Sequence, residues 1–245
     1  MHLIVLGSGT IVQEDQAENC SGYLLDNFIL FDCGPGIWRA LSKHHIPIKN
    51  INNIFLTHFH IDHTSDLAPL LLNRWLIADT LDQRMQIVGP IGLKDWFSKL
   101  TELAGTWMLD LPIDLIEMND KSYSLNDYKI SSLTTGHTEN SICYRVEKDG
   151  TSIFYSGDTG YNKNVITLAS SCNLAIFEAS NTEETRLVEH LTPKLAAQIA
   201  ETAKVENLLL THMYPEVKKG NPLKTAKEHF AGNVFIATDG MEIRF

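Results

Sequence analysis

Apolar, β-branched residues fall along this chain in short runs separated by polar, glycine-containing breaks. Runs of that length predict strands at Leu3–Leu6, Tyr23–Leu25, Ile29–Phe31, Ile54–Thr57, Gln86–Val88, Ser141–Val146, Ser152–Tyr155, Leu174–Phe177, Leu208–Thr211 and Val234–Ala237. Between them, apolar positions with helical spacing predict helices near 36–45, 64–77, 91–104, 162–170, 193–204 and 223–230. The helix after His190 has clear start chemistry: Thr192 is placed to cap it, Pro193 occupies its first position, and Leu195, Ile199 and Ala203 recur on one face. Lys148-Asp149-Gly150 reads as a hairpin turn between two of the strands. Hairpins mixed with strand–helix alternation point to two sheets with helices outside them, an α/β architecture. No repeat or Pro/Ser-rich linker divides residues 1–245, which read as one domain.

Composition narrows the function classes. Of 245 residues, 44% are hydrophobic, which excludes a disordered or low-complexity chain and suffices for a real core. Thirty acidic against 20 basic side chains leave a net charge of −10, unsuited to a general nucleic-acid or anionic-membrane binder but compatible with a local cationic site. Cys20, Cys33, Cys143 and Cys172 form no CxxC pair, so neither a disulfide framework nor a thiolate zinc site is expected. The opening Met1–Gly7 is too short and lacks the basic flank of a signal peptide, and no run approaches the roughly 20 apolar residues that span a bilayer. A soluble cytoplasmic protein without a membrane partner is the expectation.

The 10 histidines decide the rest. Phe55-Leu56-Thr57-His58-Phe59-His60-Ile61-Asp62-His63-Thr64 places three of them and an aspartate at a strand-to-helix junction. His58 and His60, two apart in extended chain, point the same way, while Asp62 and His63 follow where the chain turns into the helix. Neutral imidazoles with a carboxylate are donors for zinc, manganese or iron. A catalytic metal needs further ligands, and three strand ends supply them: His137 after the run ending at Thr135, Asp158 after Ile153–Tyr155, and His212 after Leu208–Leu210. Each alone would more often be structural. In this order after the first cluster, they read as one ligand set.

That ordered set, with Leu6-Gly7-Ser8-Gly9-Thr10 and Phe31-Asp32-Cys33-Gly34-Pro35-Gly36, resembles the metallo-β-lactamase superfamily over essentially the whole chain. The resemblance implies a four-layer αβ/βα metallo-β-lactamase-type sandwich with two divalent metal ions, zinc first and manganese or iron next. It implies that His58, His60 and His137 hold one ion, that Asp62, His63 and His212 hold the other, and that Asp158 bridges them. The two glycine-rich segments are turn and scaffold in that family and receive no catalytic role. Phe177-Glu178-Ala179-Ser180, Glu189-His190-Leu191-Thr192-Pro193 and Ile87–Gly92 resemble elements of the superfamily's ribonuclease Z-like branch. His190 is then assigned as general acid or phosphate-stabilising group, with Glu178 as the carboxylate that keeps it charged. Asp62, a ligand that also faces the nucleophile, would orient it or take its proton, the nucleophile being a hydroxide held between ions roughly 3.5–4 Å apart.

The branch pattern breaks in three places. Ribonuclease Z enzymes that process tRNA precursors carry a long arm between the residues equivalent to His137 and Asp158, and here residues 138–157 are taken up by a hairpin. The net charge of −10 removes a general attraction for a long polyanion. Ile61 stands where those enzymes usually have glycine. The expectation is a metal-dependent hydrolase acting as a phosphodiesterase on a small anionic ester, with no long nucleic acid as partner and a homodimer as a family-level expectation. The alternatives are tRNA 3′-processing, or a sulfatase, thioesterase or lactonase of the same fold. A non-catalytic binding protein would be expected to lose ligands, and all seven are present.

Overall fold

The computed structural model describes residues 1–12, 14, 18–77 and 84–245. Its contacts divide the described chain into two compact units, one from residues 1–7, 18–118 and 239–245, the other from residues 8–17 and 119–238.

The first unit is built on a seven-stranded mixed sheet. Its strands are β1 (His2–Gly7), β2 (Gly22–Leu25), β3 (Ile29–Phe31), β4 (Asn53–Phe55), β5 (Met85–Gly89), β6 (Ile113–Glu117) and β14 (Glu242–Arg244), in the order β14-β1-β2-β3-β4-β5-β6. Pairing is antiparallel from β14 to β3 and parallel from β3 to β6. Helices α1 (Ile37–Lys43), α3 (Leu67–Leu76) and α4 (Leu93–Ala104) bury Ile37, Leu41, Leu67, Leu70, Leu71, Leu93 and Phe97 in a core with Ile4, Leu24, Leu30, Ile54 and Ile87 of the strands. The strand residues alternate, as one face of a sheet requires.

The second unit mirrors this plan. Strands β7 (Ser122–Leu125), β8 (Tyr128–Thr134), β9 (Ile142–Lys148), β10 (Thr151–Tyr155), β11 (Leu174–Glu178), β12 (Asn207–Thr211) and β13 (Asn233–Ile236) lie in the order β13-β12-β11-β10-β9-β8-β7. They are antiparallel from β7 to β10 and parallel from β10 to β13. Helices α5 (Lys163–Ala169), α6 (Pro193–Ala203), α7 (Pro215–Lys219) and α8 (Pro222–Lys227) close a core around Phe154, Phe177, Ile199, Leu208 and Leu210. The cap expected at α6 is present: Thr192 Oγ1 accepts from Leu195 N at 3.2 Å, with Pro193 at the first helical position. Asp149 (φ 49°) and Gly150 (φ 78°) form the tight turn between β9 and β10, a two-residue hairpin link of the left-handed kind.

Two expected elements end differently, and both differences shape the region that matters. The predicted strand 54–57 stops at Phe55, because Thr57 N donates to the Asp32 carboxylate at 2.8 Å instead of to a neighbouring strand. The predicted helix 64–77 is two helices, α2 (Ile61–Thr64) and α3. Asp66 separates them: its N–H bonds Cys33 O at 3.0 Å and its Oδ2 accepts from Trp38 N at 3.2 Å. Gly34 allows α2 to sit this close, since a Cβ there would lie 2.0 Å from the Asp62 carbonyl oxygen. Among the described residues no helix is long and apolar enough to cross a membrane.

Candidate metal centre

Open α/β sheets present their functional residues just beyond the carboxyl ends of parallel strands, and both units do so. In the first unit β3 leads into Asp32, which is fully buried in a left-handed conformation (φ 54°) and tied by Asp32 N to Phe55 O at 2.9 Å. Adjacent β4 leads into Thr57, His58 and the short helix α2. The ligand-type atoms of His58 and His60 lie within 4.8 Å of each other, as do those of Asp62 and His63. The His58 ring meets His60 edge-on at 4.6 Å and His63 at 4.2 Å. His58 and His63 are buried, Asp62 nearly so, and His60, the residue before α2, is exposed.

The Asp32 carboxylate holds this group in place. Oδ1 accepts from Thr57 N, and Oδ2 accepts from Thr57 Oγ1 at 2.9 Å and from His63 Nδ1 at 2.8 Å. Thr57 Oγ1 in turn lies 3.0 Å from His58 Nδ1. With its single proton given to Asp32, the hydroxyl accepts from the imidazole. Both rings therefore carry their proton on Nδ1 when neutral, which makes Nε2 the lone-pair nitrogen suited to a metal.

In the second unit three strand ends contribute. After β8, Gly136 (φ 76°) turns the chain into His137, whose Nδ1 donates to Glu189 O at 3.1 Å. Burial pushes the His137 pKa down against the pull of Asp158, favouring the neutral ligand form. After β10 comes buried Asp158, its Oδ2 3.7 Å from His137 Nε2 and its Oδ1 3.6 Å from His212 Nδ1. After β12, His212 adopts a left-handed conformation (φ 51°) held by His212 N to Ser8 O at 3.0 Å, and its Nδ1 lies 3.0 Å from Ser180 Oγ. Each carboxylate oxygen of Asp158 thus faces a different histidine. Residues in the left-handed region cost about 1 kcal/mol or more apiece, and here two of them, Asp32 and His212, stand at the strand ends where the site is built.

Glu178, at the end of β11, is buried and accepts four hydrogen bonds. Oε1 takes Thr159 N at 2.8 Å and His190 Nδ1 at 2.8 Å, and Oε2 takes Ser180 N at 3.1 Å and Ser180 Oγ at 2.5 Å. The His190 ring lies 4.6 Å from that of His137. Burial works against its charge, but the bond to Glu178 and the charges of Glu178, Asp158 and Glu189 prevail and push the His190 pKa up to about 9. The pair expected from sequence is therefore formed, and His190 is an imidazolium at neutral pH in the metal-free chain.

This shift has a stability consequence. The folded pKa is raised above the ordinary value of 6.5, so the contribution is complete below pH 6.5 and is lost as pH rises through 9. In metal-free protein, unfolding free energies of wild type and Glu178→Gln should differ by on the order of 3 kcal/mol more at pH 6 than at pH 10. Denaturant titration across that range measures the difference, and a constant gap would contradict the pairing.

Two carboxylate-centred networks thus hold part of the set, Asp32 with His63 and His58 in the first unit and Glu178 with His190 and His212 in the second. The donor chemistry fits divalent ions: imidazoles with defined Nδ1 partners and acidic oxygens, and no thiolate, since Cys20, Cys33, Cys143 and Cys172 are buried with their thiol pKa values raised by burial. Sequence reasoning missed several contributors, the Glu189 carbonyl on His137 Nδ1 and the Thr135 hydroxyl on the Asp158 carbonyl among them. Asp32 and Ser8 lay in segments read as scaffold, and Thr57 and Ser180 were quoted without a role. A buried-type acid directly after a strand was the available signal for Asp32. The hydroxyls and the Ser8 carbonyl carry no signal in sequence.

Comparison with known proteins gives the family and the fold. A model of the β-lactamase superfamily domain matches residues 27–213. A ribonuclease Z of Borrelia duttonii (strain Ly) is 26% identical over 278 aligned positions, which take in 88% of this chain and 87% of that protein. The metallo-β-lactamase fold protein YhfI from Bacillus subtilis superposes with a TM-score of 0.85 at 24% identity, covering 99% of this chain and 98% of its own. Human tRNase Z, short form, superposes with a TM-score of 0.81 at 23% identity, covering 100% and 99%. Two mixed sheets flanked by helices match the sandwich fold of these neighbours. The chain belongs to the metallo-β-lactamase superfamily of metal-dependent hydrolases, and ribonuclease Z is among the proteins it is similar to.

Proposed function

We propose that this chain is a dinuclear metal-dependent phosphodiesterase acting on small phosphodiesters. His58, His60 and His137 would hold one ion and Asp62, His63 and His212 the other, with Asp158 shared. Zinc is the first expectation from the imidazole-rich donor set, and manganese or iron share its preferences. When bound, two such ions supply Lewis-acid charge for a phosphoryl group and lower the pKa of a water to about 7. The protein's own part is to orient and to move protons. Asp62 orients the attacking water or takes its proton. His190, with Nδ1 committed to Glu178, offers its Nε2–H to the leaving oxygen. Glu178 keeps that imidazole protonated and steady.

One observation carries the choice of a small substrate. Between His137 and Asp158 the chain is spent on a tight turn, β9, a two-residue link and β10, with no protruding arm. Thr135 Oγ1 ties this stretch off at its base, bonding Ser141 Oγ at 2.8 Å and Asp158 O at 3.0 Å. The 278 positions aligned with the Borrelia ribonuclease Z exceed the 245 residues of this chain, so that relative carries inserted residues absent here. Together with the net charge of −10, this favours a short anion over a long one. The relative's name supports tRNA 3′-processing as the second reading.

A parallel assay of metal-loaded protein separates the readings. An aryl phosphodiester, a cyclic nucleotide, an aryl sulfate, a lactone and a tRNA precursor should be compared at equal enzyme concentration. The expected ranking puts a phosphodiester first by kcat/KM, at least about tenfold above the others, a gap of about 1.4 kcal/mol in transition-state binding. A tRNA precursor or a sulfate ester in first place would overturn it.

A further inference from the structure

Two hydroxyls, one in each unit, stand in the same relation to two different buried carboxylates. Thr57 Oγ1 donates to Asp32 Oδ2 and accepts from His58 Nδ1; Ser180 Oγ donates to Glu178 Oε2 and accepts from His212 Nδ1. A hydroxyl has one proton. Thr57 gives it to Asp32, and Ser180 has two acceptors for it, Glu178 Oε2 at 2.5 Å and the more distant His212 carbonyl at 2.9 Å; none of these oxygens can donate in return, so the imidazole must supply the other proton, on Nδ1. Each carboxylate also receives a second imidazole directly, His63 on Asp32 and His190 on Glu178, both at 2.8 Å. Thr57, Ser180, Asp32 and Glu178 are all 0–1% exposed, so bulk water does not compete for these bonds.

We propose that Thr57 and Ser180 are positioning residues, each fixing the tautomer and ring orientation of one imidazole, His58 and His212 respectively, for a different one of the two ions. The proposal rests on the dinuclear reading above. Its physical content is a commitment of Nδ1: without the hydroxyl, a neutral imidazole can place its proton on either nitrogen, and the form with Nε2–H cannot ligate through Nε2. Partners of this kind typically change metal affinity by about 10–100-fold. Because the two hydroxyls serve different carboxylates, their effects should be separable.

The test uses the full chain with Thr57→Val, which keeps the side-chain volume, Ser180→Ala, the double variant, and Thr57→Ser as the conservative control. Nitrogen-15 spectra of the histidines in metal-free protein report the tautomers, and zinc titration against a chromophoric chelator resolves the two equivalents. The expected result is loss of the pure Nδ1–H form at His58 in Thr57→Val and at His212 in Ser180→Ala. Each single variant should weaken one zinc equivalent by about 10–100-fold, the double variant should weaken both, and Thr57→Ser should behave as wild type. Unchanged tautomers, unchanged affinities, or equal weakening of both equivalents by either single variant would overturn the proposal. A wild-type chain that takes up no zinc would sink the dinuclear reading and this proposal with it. Two bound zincs without phosphodiester turnover would remove the substrate reading alone.

Discussion

Replacing His190 by alanine should leave two metal equivalents bound and reduce turnover of an alkyl phosphodiester by about 10²–10⁴-fold. Four of the candidate ligands have their Nδ1 atoms on other groups: those of His58, His63, His137 and His212 bond Thr57, Asp32, Glu189 O and Ser180. Removing the ring therefore spares the donor set and removes a proton. The loss should depend on the leaving group. An alkoxide needs protonation as it departs, whereas an acidic phenol leaves as the anion, so the deficit on an aryl ester should be at least about tenfold smaller, a difference of about 1.4 kcal/mol. Glu178→Gln should reproduce part of the effect, since the imidazole would remain but lose the carboxylate that holds its pKa up to about 9. Steady-state kinetics on both substrates, alongside metal analysis, measures this. Equal activity of wild type and His190→Ala on the alkyl ester would remove His190 from the mechanism.

What could be read from the sequence follows physical rules that differ by element. Strands buried on both faces, such as β10 and β11 with their Ile, Phe and Leu runs, stand out from sequence. The unpredicted β6, β7 and β14 are half-buried or edge strands in which Ser, Glu, Asp and Arg interrupt the apolar residues, and short alternation of that kind resembles loop. The break between α2 and α3 was hidden for another reason. It is made by Asp66 bonding residues 33 and 38, a long-range interaction that no window of sequence contains.

The same division holds within the candidate site. His58, His60, Asp62 and His63 are legible because a strand-to-helix junction concentrates them, and His137, Asp158 and His212 because each lies at most three residues beyond the end of a strand. Their supporting shell is not legible, because its members act through ordinary groups at large sequence separation. Asp32 reaches Thr57 and His63 across 25 and 31 residues, and Ser180 reaches His212 across 32. The backbone carbonyl of Ser8 holds His212 across the length of the chain. Metal ligands have distinctive chemistry, whereas the hydroxyls and carbonyls that aim them are among the commonest groups in any protein.

Asp158→Ala should cost the chain its pair of tight metal ions, leaving at most one weakly held, and should lower turnover at least about a thousandfold. The argument is the posture of the carboxylate. It is buried, anchored through its carbonyl to Thr135 Oγ1 at 3.0 Å, and presents one oxygen toward His137 and the other toward His212. A single anionic group lying between two imidazoles is what two neighbouring divalent ions require, since their mutual repulsion falls steeply when a charge of opposite sign is shared. Stability gives a readout independent of turnover. Zinc at about 1,000 times its dissociation constant should stabilise the wild-type chain by about 4 kcal/mol per tight site, raising the thermal midpoint, because only the folded state assembles the donors. The variant should show little of this increase, while without metal its midpoint stays near that of the metal-free wild type. Elemental analysis and thermal unfolding with and without zinc decide the matter together: two tight ions and a full zinc-dependent shift in Asp158→Ala would show that Asp158 is not shared between them.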